Sequence, residues 1–412
     1  MGPTTRVFAL AALWTGAQSA SAQDPQDKHP DDSHQDEVQQ DLEDLAFRVE
    51  TLEGELAQER AAHTSTPQSA SVFNPGITVF GNFLGRWDDQ PVFLDDDPTM
   101  ERIDDRMNLR EVELDFRAAI DPWADGVVIG TFAQDVPNEP FITEIEEGYV
   151  LLKKLPILDS APWGLKVKVG RFRPEFGRFN YIHLHDLPQP SYPRALGTFL
   201  GPEGFIQNGV SGQFFLPLHG ERQTLEATVQ VLDGGNLPLA EDLQGNAIAS
   251  LGHLKYFRDL SESTNMELGL SAYEGDTDHQ LLGLDASYKW KPLSGGEWHS
   301  FLVGGELFAS HLDDPALGDD PQGYYAFAQY QLNRNYYAGL RYDHSEELED
   351  ESQVTDTLGA YLTYYTTEFL RFRLGLEHTE SDLDELDGLN TGLFELNMVF
   401  GSHPVEPYWV NK

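Results

Sequence analysis

The chain contains no cysteine, so neither disulfide staples nor thiolate metal sites enter its chemistry. It has no interior apolar run of the roughly 20 residues that a spanning helix requires, which excludes a helical membrane protein. Basic residues are scarce: 27 Lys and Arg stand against 69 Asp and Glu, a formal charge of −42. Phosphate contacts need clustered cations, so the balance argues against nucleic acid as a partner. No nucleophile elbow and no Gly-rich phosphate loop opening a helix occurs, and nothing in the chain demands an enzyme or a cofactor.

What is present is a period of two. In Gly392–Phe400 the residues Phe394, Leu396, Met398 and Phe400 share one face of a strand, and Glu395 and Asn397 share the other. Val112, Leu114, Phe116 and Ala118 alternate in the same way with Glu111, Glu113, Asp115 and Arg117; Leu370, Phe372, Leu374 and Leu376 alternate with Arg371, Arg373 and Glu377. One face wants hydrocarbon and the other water, the signature of a transmembrane strand. About sixteen such segments follow one another, the first starting near Ile77, the eleventh near Trp298 and the last near Thr391. Their connectors alternate between clipped and long, as an antiparallel β-barrel of the outer membrane requires, and several long ones are acidic, Trp87 to Arg106 most of all. Trp123, Trp163, Trp290 and Trp298 all fall beside short connectors, which predicts an aromatic girdle at one interface. The expected fold is therefore all-β: a closed barrel over 76–401, with a C-terminal tail at 402–412.

Ahead of the barrel, residues 1–22 read as a secretory signal, with Arg6 before the apolar Val7 to Trp14 and Ala20-Ser21-Ala22 as the cleavage site. Residues 23–37 form an acidic linker too polar to pack. Within 38–63 the residues Val38, Leu42, Leu45, Val49, Leu52 and Leu56 keep heptad spacing, which predicts a short coiled-coil helix joined to the barrel by a linker at 64–75. Some three heptads are marginal alone, so the helix is expected where the barrel already gathers copies, as in a homotrimer.

The longest loop of the barrel, Pro174 to Phe205, is rich in aromatics and proline and poor in charge. Its apolar groups need a surface, and folding into the lumen supplies one. Alternation points Lys166, Lys168, Arg341, Arg371, Arg373, Glu111, Glu113 and Asp115 inward as pore-lining residues. Arg178 and Arg194 lie on the loop itself. Arg171 and Arg173 have the opposite parity to Lys166 and Lys168, and they face the lumen only if the strand bulges or has ended near Gly170. His183-Leu184-His185-Asp186 has two alternate imidazoles, but no further ligand stands at a recognisable metal-site spacing, so no metal is assigned.

In layout the chain resembles the sixteen-stranded general porins. Val169-Gly170-Arg171-Phe172-Arg173-Pro174-Glu175-Phe176-Gly177, together with the polar and helical stretch before the barrel, resembles the phosphate-selective O and P porins more closely. That resemblance implies a trimer whose lumenal and loop cations bind anions, Arg171 and Arg173 being the two such residues in the matching segment. The surplus of carboxylates runs against a phosphate preference. The expectation is an outer-membrane porin of a Gram-negative-type cell, seated in lipid and lipopolysaccharide, through which small polar or ionic solutes diffuse. The rival expectation, a structural or adhesive barrel without significant conductance, shares the fold.

Overall fold

The structure of the chain is a computed structural model, which describes residues 75–93, 102–103, 106–134, 141–155, 157–158, 160–234, 237–238, 248–275, 279–292, 298–311 and 320–401. The expected signal, linkers, coiled-coil helix and C-terminal tail lie outside these residues.

Sixteen strands close into one antiparallel barrel. They are β1 (Gly76–Asp88), β2 (Arg106–Asp121), β3 (Ala124–Ala133), β4 (Ile142–Leu152), β5 (Lys166–Phe172), β6 (Gln207–Leu216), β7 (Gln223–Asp233) and β8 (Ile248–Asp259), then β9 (Thr264–Glu274), β10 (Gln280–Trp290), β11 (Phe301–His311), β12 (Gln322–Gln331), β13 (Tyr336–Glu346), β14 (Val354–Thr367), β15 (Leu370–Ser381) and β16 (Leu389–Gly401). Each strand pairs with its neighbours in sequence, and β16 pairs with β1 from Gly401 opposite Thr78 to Thr391 opposite Asp88. Closure leaves no unpaired edge. Every expected strand has its counterpart; the largest offset is at β11, read from Trp298 and observed from Phe301. Val92–Phe93 and Arg102–Ile103 form a separate two-stranded ribbon in the first long loop.

The two faces differ as the period predicts. Leu268, Leu270, Leu282, Leu284, Leu307, Leu340, Leu358, Leu374 and Leu376 are exposed in mid-strand, an apolar outer band that only lipid satisfies. Trp123, Trp163, Tyr288, Tyr330, Tyr336, Phe369 and Phe400 are exposed at the short-turn end, and Trp87, Phe141, Tyr324 and Tyr342 at the other. Two aromatic girdles thus bound the band.

Among the described residues the register shifts at four places; two, at Ala119/Asp121 and Tyr365/Thr367, lie at the short turns, and two are bulges inside the strands. The β1–β2 register slips between Asn82 and Phe83, which face Glu111 and Leu109 and leave Arg110 as the extra residue. In the β3–β4 pair, Ile129 faces Glu147 and Gly130 faces Ile145, so Glu146 is extra. Each bulge turns two consecutive side chains toward the lumen, Arg110 with Glu111 and Glu146 with Glu147.

The connection between β5 and β6 folds into the barrel. It carries a 3-10 turn, Leu184–Asp186, and the helix α1 (Arg194–Leu200). Its Phe176, Phe179, Leu187, Leu196, Phe199 and Phe205 are buried in one cluster with the inward residues Leu251, Tyr273, Leu281, Leu302, Phe308, Tyr325, Phe327 and Tyr337. Phe179 stacks on Tyr325 at 5.3 Å, and Phe199 on Phe308 at 5.7 Å. A Cβ on Gly323 would meet Phe199 at 2.6 Å, so that glycine makes room for the ring.

Candidate functional site

The lumen at the level of this loop has an apolar half and a charged half. The apolar half is the aromatic wall of β9 to β13 just described. The charged half is built by β13, β15, β16, β1, β2 and β4, and it holds the loop chiefly through hydrogen bonds and ion pairs.

Arg373, fully buried, is the centre of that half. Its Nε and Nη2 both donate to Glu395, the latter at 2.7 Å, and its Nη1 donates to the Leu187 carbonyl at 2.6 Å. Arg110 also donates to Glu395 at 3.0 Å and to the Pro190 carbonyl at 2.9 Å. Arg371 donates to the His185 carbonyl and to Tyr365 Oη. Arg341 pairs with Asp343 at 2.7 Å and donates to the Ser191 carbonyl at 2.8 Å. Asp343 in turn accepts the N–H of Arg194 at the start of α1, which places a carboxylate at a helix N-terminus. Such charge-assisted bonds to a loop backbone are strong because both partners are withdrawn from water.

On the opposite wall Glu306 plays the complementary part. It accepts the N–H groups of Arg178 at 3.0 Å and Phe179 at 2.7 Å and the hydroxyl of Tyr325. Gly177 precedes them with φ 59°, and a Cβ there would meet Glu306 Oε2 at 1.9 Å. Both the backbone conformation and the space demand glycine. Arg178 itself pairs with Glu267 and donates to Ser287.

A third group gathers around His183. Its Nε2 lies 2.9 Å from Glu147, and its Nδ1 lies 2.9 Å from Glu113 and 3.3 Å from Glu146. His185, stacked on Phe80 at 3.9 Å, has Nδ1 at 3.5 Å from Glu113. Arg173 donates to Glu146 at 2.6 Å and to the Glu203 carbonyl. Burial disfavours the charged imidazole, but Glu113, Glu146 and Glu147 outweigh it and hold His183 well above its ordinary value. Burial likewise pushes the Tyr192 phenol, a donor to the Ile182 carbonyl, up to about 12.

Most residues singled out from the sequence meet here: Arg173, Arg178, Arg194, Arg341, Arg371, Arg373, Glu111 and Glu113. Asp115 is inward but pairs with Arg117 at 2.8 Å, closer to the short turns. Lys168 is inward over the rings of Tyr149 and Phe172 at 4.9 and 5.2 Å, and Lys166, two residues nearer the short-turn end, is exposed. Arg171 stands on the outer parity beside exposed Val169 and Asn208 and donates to the Ile145 carbonyl. Arg173 is lumenal because β5 ends at Phe172. Sequence reasoning missed Arg110, Glu146, Glu147 and Glu306 as members of the site. The run Glu144-Ile145-Glu146-Glu147, which breaks the period of two, is the signal that marks one bulge.

A closed sixteen-strand barrel with a long loop folded into its lumen defines the porin class of fold. No family model matches the sequence. A protein of Aquifex aeolicus named only as uncharacterized is 27% identical over 346 residues, covering 73% of this chain and 70% of its own. Among solved structures, OprB of Pseudomonas putida at high pH aligns with TM-score 0.53 at 11% identity, over 79% of this chain and 94% of its own. The outer-membrane channel DcaP of Acinetobacter baumannii aligns with 0.51 at 10%, over 79% and 97%. An anion-selective porin from Comamonas acidovorans aligns with 0.51 at 13%, over 79% and 100%. At such identities the likeness is one of fold.

Proposed function

We propose that the protein is an outer-membrane porin through which small polar or ionic solutes pass by passive diffusion. The observation that carries this reading is the loop between β5 and β6, clamped inside a closed barrel by Arg110, Arg341, Arg371 and Arg373 on one wall and Glu306 on another. A constriction held by charge inside a hydrated barrel is a filter for polar solutes. The resemblance to phosphate-selective porins implies an anion site, but the arginines here are paired with Glu395, Asp343, Glu146 and Glu267 or bonded to loop carbonyls. With those pairs made, the acidic long loops set the bias, and the permeant ion of choice is a cation. Copies assemble as trimers, gathered by the heptad segment ahead of the barrel.

Planar bilayers test the proposal. Purified protein is expected to insert with discrete conductance steps and a reversal potential on the cation side in a salt gradient. Insertion without current would leave the structural or adhesive reading; a firm anion preference would restore the phosphate-type site.

A further inference from the structure

Glu113 is 1% exposed, yet its Oε2 makes no hydrogen bond; it faces His183 Nδ1 at 2.9 Å and His185 Nδ1 at 3.5 Å, two buried nitrogens that also lack a hydrogen bond. A carboxylate can only accept, so the contact of His183 Nε2 with Glu147 requires the proton on Nε2. Nδ1 then faces the carboxylate oxygens of Glu113 and Glu146 at 2.9 and 3.3 Å, and a second proton there makes the imidazolium. A metal ion in place of that proton would serve the imidazole and both carboxylates at once. Glu111, Glu113, Glu146 and Glu147 moreover outnumber the fixed cations beside them, Arg110, Arg173 and Lys168.

We propose that Glu113, Glu146 and His183 bind a divalent transition-metal ion of the Zn2+ type, which ties the lumenal loop to β2 and β4. The donor atoms of these three residues all lie within 4.8 Å of one another, and the two carboxylate approaches to His183 Nδ1 are 2.9 and 3.3 Å. Tetrahedral Zn2+ with bonds of about 2.0 to 2.1 Å sets its ligands about 3.3 Å apart. Glu147 on the far nitrogen of His183 completes the carboxylate–histidine–metal arrangement that fixes a ligand imidazole, and Arg173 donates to the Glu146 Oε2 that faces the ring. Glu111 and His185 form an adjoining triad with Glu113 and keep the pocket negative. An imidazole among the ligands favours Zn2+ over Ca2+ or Mg2+, which take oxygen alone. The bulge at Glu146 is what makes the site, because it turns both Glu146 and Glu147 inward. This inference does not depend on solute passage.

The test is calorimetric titration of the full chain in detergent with Zn2+, and separately with Ca2+. Wild-type protein is expected to take up Zn2+ tightly. His183→Gln should lower that affinity by more than the roughly 10- to 100-fold that loss of an outer-shell partner costs, while His344→Gln, beside Asp356 at the barrel rim, should leave it unchanged. Equal binding by wild type and His183→Gln, or Zn2+ bound no better than Ca2+, overturns the proposal and assigns the uptake to the acidic loops. Where His183→Gln fails to give the compact electrophoretic form of a folded barrel, zinc-edge absorption on the wild-type chain decides: imidazole scattering supports the site, and an all-oxygen shell refutes it.

Discussion

Arg373 shows what a single residue contributes in a wet fold with a dry waist. It is fully buried and bonds both the Leu187 carbonyl and Glu395, a carboxylate that Arg110 and Asn82 share. Removing one partner of such a pair costs about 3–5 kcal/mol because the other charge stays buried. Arg373→Ala should therefore lower the temperature at which the compact form converts to the unfolded form on electrophoresis. The pair itself adds little beyond an apolar substitute of the same volume, so Arg373→Met with Glu395→Leu should recover part of the loss, less the bonds that Arg110 and Asn82 make to Glu395. Equal damage from the single and the double change would mean that the bond to the Leu187 carbonyl and the bonds of Arg110 and Asn82 to Glu395, not the Arg373–Glu395 pair, are the stabilising elements.

At the scale of elements, strands and loop obey different constraints. Each strand stands between lipid and lumen, so its period was legible: Glu113, Asp115, Arg371 and Arg373 read as inward and are buried inside the barrel. The apolar half of the wall was not legible, because pairs such as Leu281-Leu282, Leu307-Phe308 and Tyr324-Tyr325 are apolar on both faces and carry no period. In each pair one member is exposed and the other lies beneath the loop. The bulges at Arg110 and Glu146 escaped for a related reason, since one inserted residue has no composition of its own. The His183 group escaped because its partners come from β2 and β4, remote in sequence. The loop's fit to the wall is testable through Gly323, whose missing Cβ admits Phe199. Gly323→Leu should overpack that contact at a cost of about 1–3 kcal/mol, dislodge α1 and raise single-channel conductance. Unchanged conductance would separate α1 from the narrowest part of the path.

For the whole molecule, the closed barrel and the segment ahead of it carry separable roles. The barrel closes β1 on β16 within one chain, so assembly is not needed to satisfy its backbone. Deleting Val38 to Leu56 should lower the heat stability of the oligomer and leave single-channel conductance unaltered; no effect on assembly would remove the heptad from the account of the trimer.

The net charge of −42 acts at the same scale. Asp88, Asp89, Glu347, Glu349, Asp350, Glu351, Asp382, Asp384, Glu385 and Asp387 all stand at the long-loop end, whereas the carboxylates of the waist are buried beside arginines and histidines. A field from exposed carboxylates reaches about 10 Å at 0.1 M salt and about 3 Å at 1 M. Cation preference set by the loops must therefore fade as salt rises, while preference set by buried waist groups must persist. Reversal potentials measured at a constant salt ratio, from tens of millimolar to molar, are expected to fall toward zero. A preference that holds at the highest salt would move the selectivity determinant from the acidic rim to Glu111, Glu113 and their neighbours.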